Sequence, residues 1–75
     1  MTARPVKRSL TLRGHRTSVS LEDPFWQEFR AIAARQDKPI NVLATEIDAG
    51  RGLDVGLASA IRLYVLADLK ARVTG

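Results

Sequence analysis

Seventy-five residues with no cysteine and one histidine make one small domain that neither disulfides nor a zinc finger can hold together. A chain this short buries only about 60% of its unfolded surface, so dimerisation is the natural way to enlarge its core. No apolar run nears the roughly 18 residues that span a bilayer, and the basic N-terminus lacks a hydrophobic signal core. A cytoplasmic protein with no membrane partner is expected.

The net charge of +4 is unevenly placed. Arg4, Lys7, Arg8, Arg13 and Arg16 precede residue 17 with no acid among them, while the remaining seven bases meet all eight acids. Positive charge concentrated in this way fits a phosphate-bearing partner. A solubilising tail is the competing reading.

Residues 1–8, MTARPVKR, carry Pro5 and no apolar periodicity, which predicts a flexible basic arm before a single domain over residues 9–72. Leu10 and Leu12 alternate within SLTLR until Gly14 interrupts them. A bulge in one long strand and a turn between two short ones fit this equally. A strand is predicted over about residues 15–21, with Thr17, Val19 and Leu21 on one side and Arg16, Ser18 and Ser20 on the other. Such a strand is unstable alone and needs either a hairpin partner or a second chain.

The first helix is predicted over about residues 24–36, with Asp23 as its N-cap and Pro24 at its first position. Phe25, Phe29, Ile32 and Ala33 form its apolar face. Trp26 lies at the edge of that face, where packing is the simpler role and base stacking the rival one. Pro39 then breaks the path. A second helix over about residues 40–49, capped by Asn41 or started by Pro39, turns Ile40, Leu43, Ala44 and Ile47 inward. Residues 50–56 form a Gly-rich break, and a third helix runs over about residues 57–71. That helix is apolar nearly all round, which marks it as dimer core. Asp48, Arg51 and Arg62 are candidates for an ion-pair set that fixes the interruption.

The order of elements resembles the ribbon-helix-helix domain of bacterial Arc/MetJ-type repressors. The resemblance rests on a strand ending in Leu-Glu, then aromatic-x-x-x-aromatic-x-x-Ile-Ala, a tight break and an apolar helix. KRSLTLRGHRTSVSLEDPFWQEF with EIDAGR and LASAIR further resembles a bacterial subfamily of small ribbon-helix-helix proteins of poorly defined role. The implied fold is mainly α with a short N-terminal β-strand, as an intertwined homodimer with an intermolecular antiparallel ribbon. Its dimer core would comprise Val19, Leu21, Phe25, Phe29, Ile32, Leu43, Ile47, Ile61 and Val65.

The resemblance also implies double-stranded DNA as partner, read by the ribbon in the major groove. Arg16, Ser18 and Ser20 fall at the reading positions, where Arg suits guanine and hydroxyls suit either base type. Ile40, Asn41 and Val42 fall at the helix N-terminus that clamps a phosphate, with Lys38 beside them. Arg4, Lys7, Arg8, Arg13 and His15 would follow the DNA backbone. Two features depart from the family pattern. Ser18 and Ser20 are short for base readers, and the Gly-rich stretch splits a helix that is usually continuous.

The implied function is a transcriptional regulator. Its rivals are a dimeric protein-interaction module and an antitoxin-like component; for the latter, only three residues follow Arg72 to serve as a toxin-binding tail. A further dimer–dimer or protein partner is compatible with each. An enzyme is not expected, because there is no Cys, no triad spacing around the single His and no phosphate-loop or metal motif. No catalytic residue, metal or cofactor is assigned.

Overall fold

A computed structural model describes residues 4–74. Its elements in order are β1 (Pro5–Leu12), β2 (His15–Glu22), α1 (Asp23–Arg35), α2 (Ile40–Gly50) and α3 (Leu57–Thr74). β1 and β2 pair antiparallel, from Pro5 opposite Glu22 to Leu12 opposite His15. Only Arg13 and Gly14 connect them, at φ 53 and 80. Two successive left-handed residues match the twist of the flanking strands, which is why such loops close hairpins. Gly14 therefore makes a turn, not a bulge.

This hairpin corrects one expectation and decides between two alternatives for the partner of β2. Residues 5–8 belong to a strand instead of a flexible arm, and residues 1–3 of that arm lie outside the described residues. Pro5 sits at the first strand position, where its missing N–H breaks no ladder bond. Antiparallel pairing is present here between two strands of one chain, the hairpin that the sequence left open beside pairing with a second chain. A two-residue loop brings β1 beside β2 at far smaller entropic cost than recruiting a second molecule.

The inner face of the ribbon packs on the helices. Leu10, Val19 and Leu21 join Phe29, Ile32 and Ala33 of α1, Leu43 and Ala44 of α2, and Ile61 and Val65 of α3. Each fully buried Val, Leu, Ile or Phe contributes about 1.5–3 kcal/mol. Every element thus supplies part of one core. The residues expected to form a dimer core are consequently buried within a single chain, except Phe25 and Ile47, which are half-buried against it. On α3 one side packs inward, while Leu63, Leu66, Leu69 and Val73 remain exposed.

Local chemistry sets the helix ends. Glu22, not Asp23, is the N-cap of α1, with no side-chain cap bond; Asp23 is already helical and turns to Arg8 instead. The helix closes with Lys38 N donating to Ala33 O (2.9 Å) and Asp37 N to Ala34 O (3.1 Å). Asp37 takes the left-handed position, φ 55, that glycine usually fills in this motif. α2 is capped by Pro39 and not by Asn41. The Gly-rich connection is held by Arg51, whose Nε donates to Asp48 Oδ1 (2.7 Å) and Nη1 to Val55 O (2.6 Å). Arg62, expected in the same ion-pair set, binds Glu22 instead. No helix among the described residues is long and apolar enough to cross a membrane.

Candidate nucleic-acid interface

Strand register decides which side chains share the outer face. Lys7 stands opposite Ser20, Ser9 opposite Ser18, and Thr11 opposite Arg16. All six are exposed, while the alternate positions Leu10, Val19 and Leu21 are buried beneath them. The result is a two-stranded polar face with hydroxyls at its centre, Lys7 near one end and Arg16 near the other. Arg16, Ser18 and Ser20 thus stand together in one row, as the sequence implied. Ser9 and Thr11 were not foreseen. The signal for them was present in the alternation Lys7, Ser9, Thr11, but Arg8 occupies the inner row and masks it.

The charge pattern sharpens that face. Arg8, Arg35, Lys38, Arg51, Arg62 and Arg72 each pair with a carboxylate at 2.7–3.2 Å. Arg4, Lys7, Arg13 and Arg16 have no acidic partner among the described residues, and on the helices Arg30 shares that condition. The helical body thus neutralises itself while the ribbon keeps its positive field. A field left uncompensated on one exposed face attracts a polyanion.

The other predicted phosphate contacts divide. Arg8 projects from the inner row, with Nη2 3.0 Å from Asp23 Oδ1 and its guanidinium 5.3 Å from the Trp26 ring centre. Its cation is engaged with α1. Trp26, half-buried beneath it and tilted against Phe29, takes the packing role. Lys38 is likewise held, with Nζ 2.7 Å from Glu46 Oε1. His15 stands opposite Leu12 beside the turn and is exposed. Arg13 sits on the turn itself and lines, with Thr11, Asn41 and Val42, a hollow of about 330 Å³ between the hairpin tip and α2. Ile40 is half-buried against the core. Its N–H and that of Asn41 lie in the first turn, where no intrahelical acceptor exists, whereas Val42 N donates to Pro39 O (3.0 Å).

Both outer edges of the hairpin are engaged. On β1, Thr11 N donates to Asn41 Oδ1 (3.0 Å). On β2, Arg62 Nη2 donates to Ser20 O (3.2 Å), while its Nε and Nη2 grip both Glu22 oxygens (2.8 and 3.0 Å). The same guanidinium stands 5.8 Å from the Phe25 ring centre. Its hydrogen bonds hold the Glu22 carboxyl below the ordinary value of 4.5. These contacts brace the ribbon while leaving its outer side chains free. No group of three or more His, Cys, Asp or Glu suited to a metal occurs among the described residues.

A family model described as a ribbon-helix-helix domain matches residues 5–69, which takes in both strands and nearly all of the helical body. Domains of that family are in general DNA-binding regulators or antitoxins and generally form dimers. Comparisons with curated proteins and with solved structures each gave no match.

Proposed function

This chain belongs to the ribbon-helix-helix domain family, and on that premise we propose that it is a sequence-specific DNA-binding transcriptional regulator of bacterial type. The observation that carries the proposal is the coincidence of polar row and unpaired charge. Arg16, Ser18 and Ser20 share the exposed face on which cations stand without acidic partners, whereas Arg35, Arg62 and Arg72 on the helices are paired with carboxylates. A two-stranded ribbon fits the roughly 12 Å major groove, where arginine recognises guanine O6 and N7 together. Arg13, beside the start of α2, contacts the flanking phosphate, and two chains in a homodimer set the spacing between half-sites. The protein works in the cytoplasm and as a binding module, not an enzyme.

Fluorescence anisotropy tests this with the duplex upstream of its own gene and a scrambled duplex, across a salt series. Preference for the first, with affinity falling steeply as salt rises, supports the reading. Arg16→Ala then weakens specific binding more than non-specific binding, by about 1–3 kcal/mol. An equal loss on both duplexes would reduce Arg16 to a phosphate contact. A protein that binds neither at low salt is a protein-interaction module instead.

A further inference from the structure

We propose that Asn41 is a positioning residue for DNA reading. By holding the Thr11 backbone it fixes Arg16, the base-reading arginine across the ribbon, relative to the start of α2. The inference rests on the DNA-binding reading above and adds to it a residue whose side chain acts without touching a base.

The strand ladder supplies the first argument. A two-residue loop is closed by a pair that exchanges backbone hydrogen bonds, here Leu12 with His15. The next pair, Thr11 with Arg16, is then of the non-bonded kind, whose N–H and C=O groups point away from the partner strand. The Thr11 N–H therefore faces out from the edge of β1 and needs an acceptor from elsewhere. Asn41 Oδ1 accepts it at 3.0 Å. Only the oxygen of an amide side chain can do so, which fixes the orientation of Asn41 as well. The bond lies on the side of β1 away from β2, so it stands whatever else β2 pairs with.

Proximity supplies the second. Opposed residues of a non-bonded pair have Cα atoms only about 4.5 Å apart. A tether on the Thr11 backbone is thus a tether on Arg16, whose long side chain swings widely for any tilt of the hairpin tip. Asn41 is itself anchored, because it stands in the first turn of α2 and Thr45 Oγ1 donates to its carbonyl at 2.8 Å. Packing does not set the spacing here, since a hollow of about 330 Å³ opens between Thr11, Arg13, Asn41 and Val42. The start of α2 is also where the Ile40 and Asn41 N–H groups are free to meet a phosphate. Phosphate contacts set register and base contacts read sequence. A fixed span between the two turns a basic ribbon into a discriminating one.

The experiment uses the full chain. NMR follows hydrogen exchange at the Thr11 N–H without DNA, and anisotropy compares a duplex selected from a randomised pool with its scramble. Asn41→Ala removes the acceptor, Asn41→Asp keeps it, and both retain the backbone N–H groups of α2. Alanine favours the helix, so the fold holds, as coincident thermal melts would verify. The expected result is a protected Thr11 N–H in the wild type and in Asn41→Asp, and faster exchange in Asn41→Ala. Preference for the selected duplex then falls about fivefold in Asn41→Ala, the lower end of what a bidentate arginine supplies. Asn41→Asp keeps the wild-type preference, although its charge weakens binding to both duplexes alike. In an Arg16→Ala background, Asn41→Ala costs no further preference, because the two act through one contact. Full preference in Asn41→Ala despite faster exchange at Thr11 would overturn the proposal and leave the bond a structural one. A further loss on top of Arg16→Ala would overturn it too, since Asn41 would then act independently. A wild-type chain that prefers no duplex would overturn the parent reading first, before any variant is compared, and this one with it.

Discussion

Single residues in this molecule separate into those that build the ribbon and those left to use it. Arg8 and Lys7 are sequence neighbours with opposite fates, because alternation sends one inward and the other out. Arg8 is 22% exposed, is paired with Asp23, and keeps a buried Nε that finds no acceptor. Replacing it by Met keeps the apolar stem over Trp26 and removes an unsatisfied donor. Arg8→Met should therefore shift stability by no more than about 1 kcal/mol in urea titration and leave the salt dependence of DNA binding unchanged. A flatter salt dependence would return Arg8 to the phosphate contacts. Asp37 offers a second test. Its φ of 55 is a conformation that side-chain-bearing residues adopt at a cost, so Asp37→Gly should stabilise the chain by about 0.5–1 kcal/mol. Thermal melts would show it.

At the scale of elements, the hairpin is closed by a residue chosen against its turn. Position 13 needs a left-handed backbone, which Asn accepts far more readily than Arg. Arg13→Asn should stabilise the fold by about 0.5–1 kcal/mol, yet weaken DNA binding on every sequence and lower the salt slope by about one. Stability and anisotropy moving in opposite directions would mark Arg13 as kept for charge. The clasp between α3 and β2 makes a pH prediction. Arg62 holds the Glu22 carboxyl below 4.5, so the stability it gives is present above that value and is lost as pH falls through the lowered one. Asp68 behaves alike beneath Arg35 and Arg72, below 3.8. In Arg62→Met, the Glu22 titration followed by NMR should move back up towards 4.5. An unchanged midpoint would show that another group sets it.

Across the whole molecule, one core built by five elements explains why one substitution reaches everywhere. Ile61 is fully buried between the ribbon and the helices, and Ile61→Ala should cost about 2–5 kcal/mol in urea titration. The amphipathic faces of α1 and α2 made their part of this core readable in advance, as did the period-two pattern of β2. The shared exposed face of Arg16, Ser18 and Ser20 was legible for the same reason. β1 was not. Its inner row contains Arg8 where an apolar residue would announce a strand, and its loop begins with Arg where Asn or Asp would announce a hairpin. The self-contained core was hidden for a related cause. α3 looks apolar all round, and periodicity alone cannot tell a face packed on its own chain from one left exposed, as Leu63 and Leu66 are.

The two-residue turn at Arg13 and Gly14 has a consequence for how the protein meets its target. Closing a hairpin is a first-order event on the microsecond scale, independent of how many copies a cell holds. A ribbon shared between two chains would instead vanish on dilution, because subunits part by mass action. Here the pairing of β1 with β2 survives dilution. Scarcity would therefore leave the exposed row of Lys7, Ser9, Thr11, Arg16, Ser18 and Ser20 assembled on each copy.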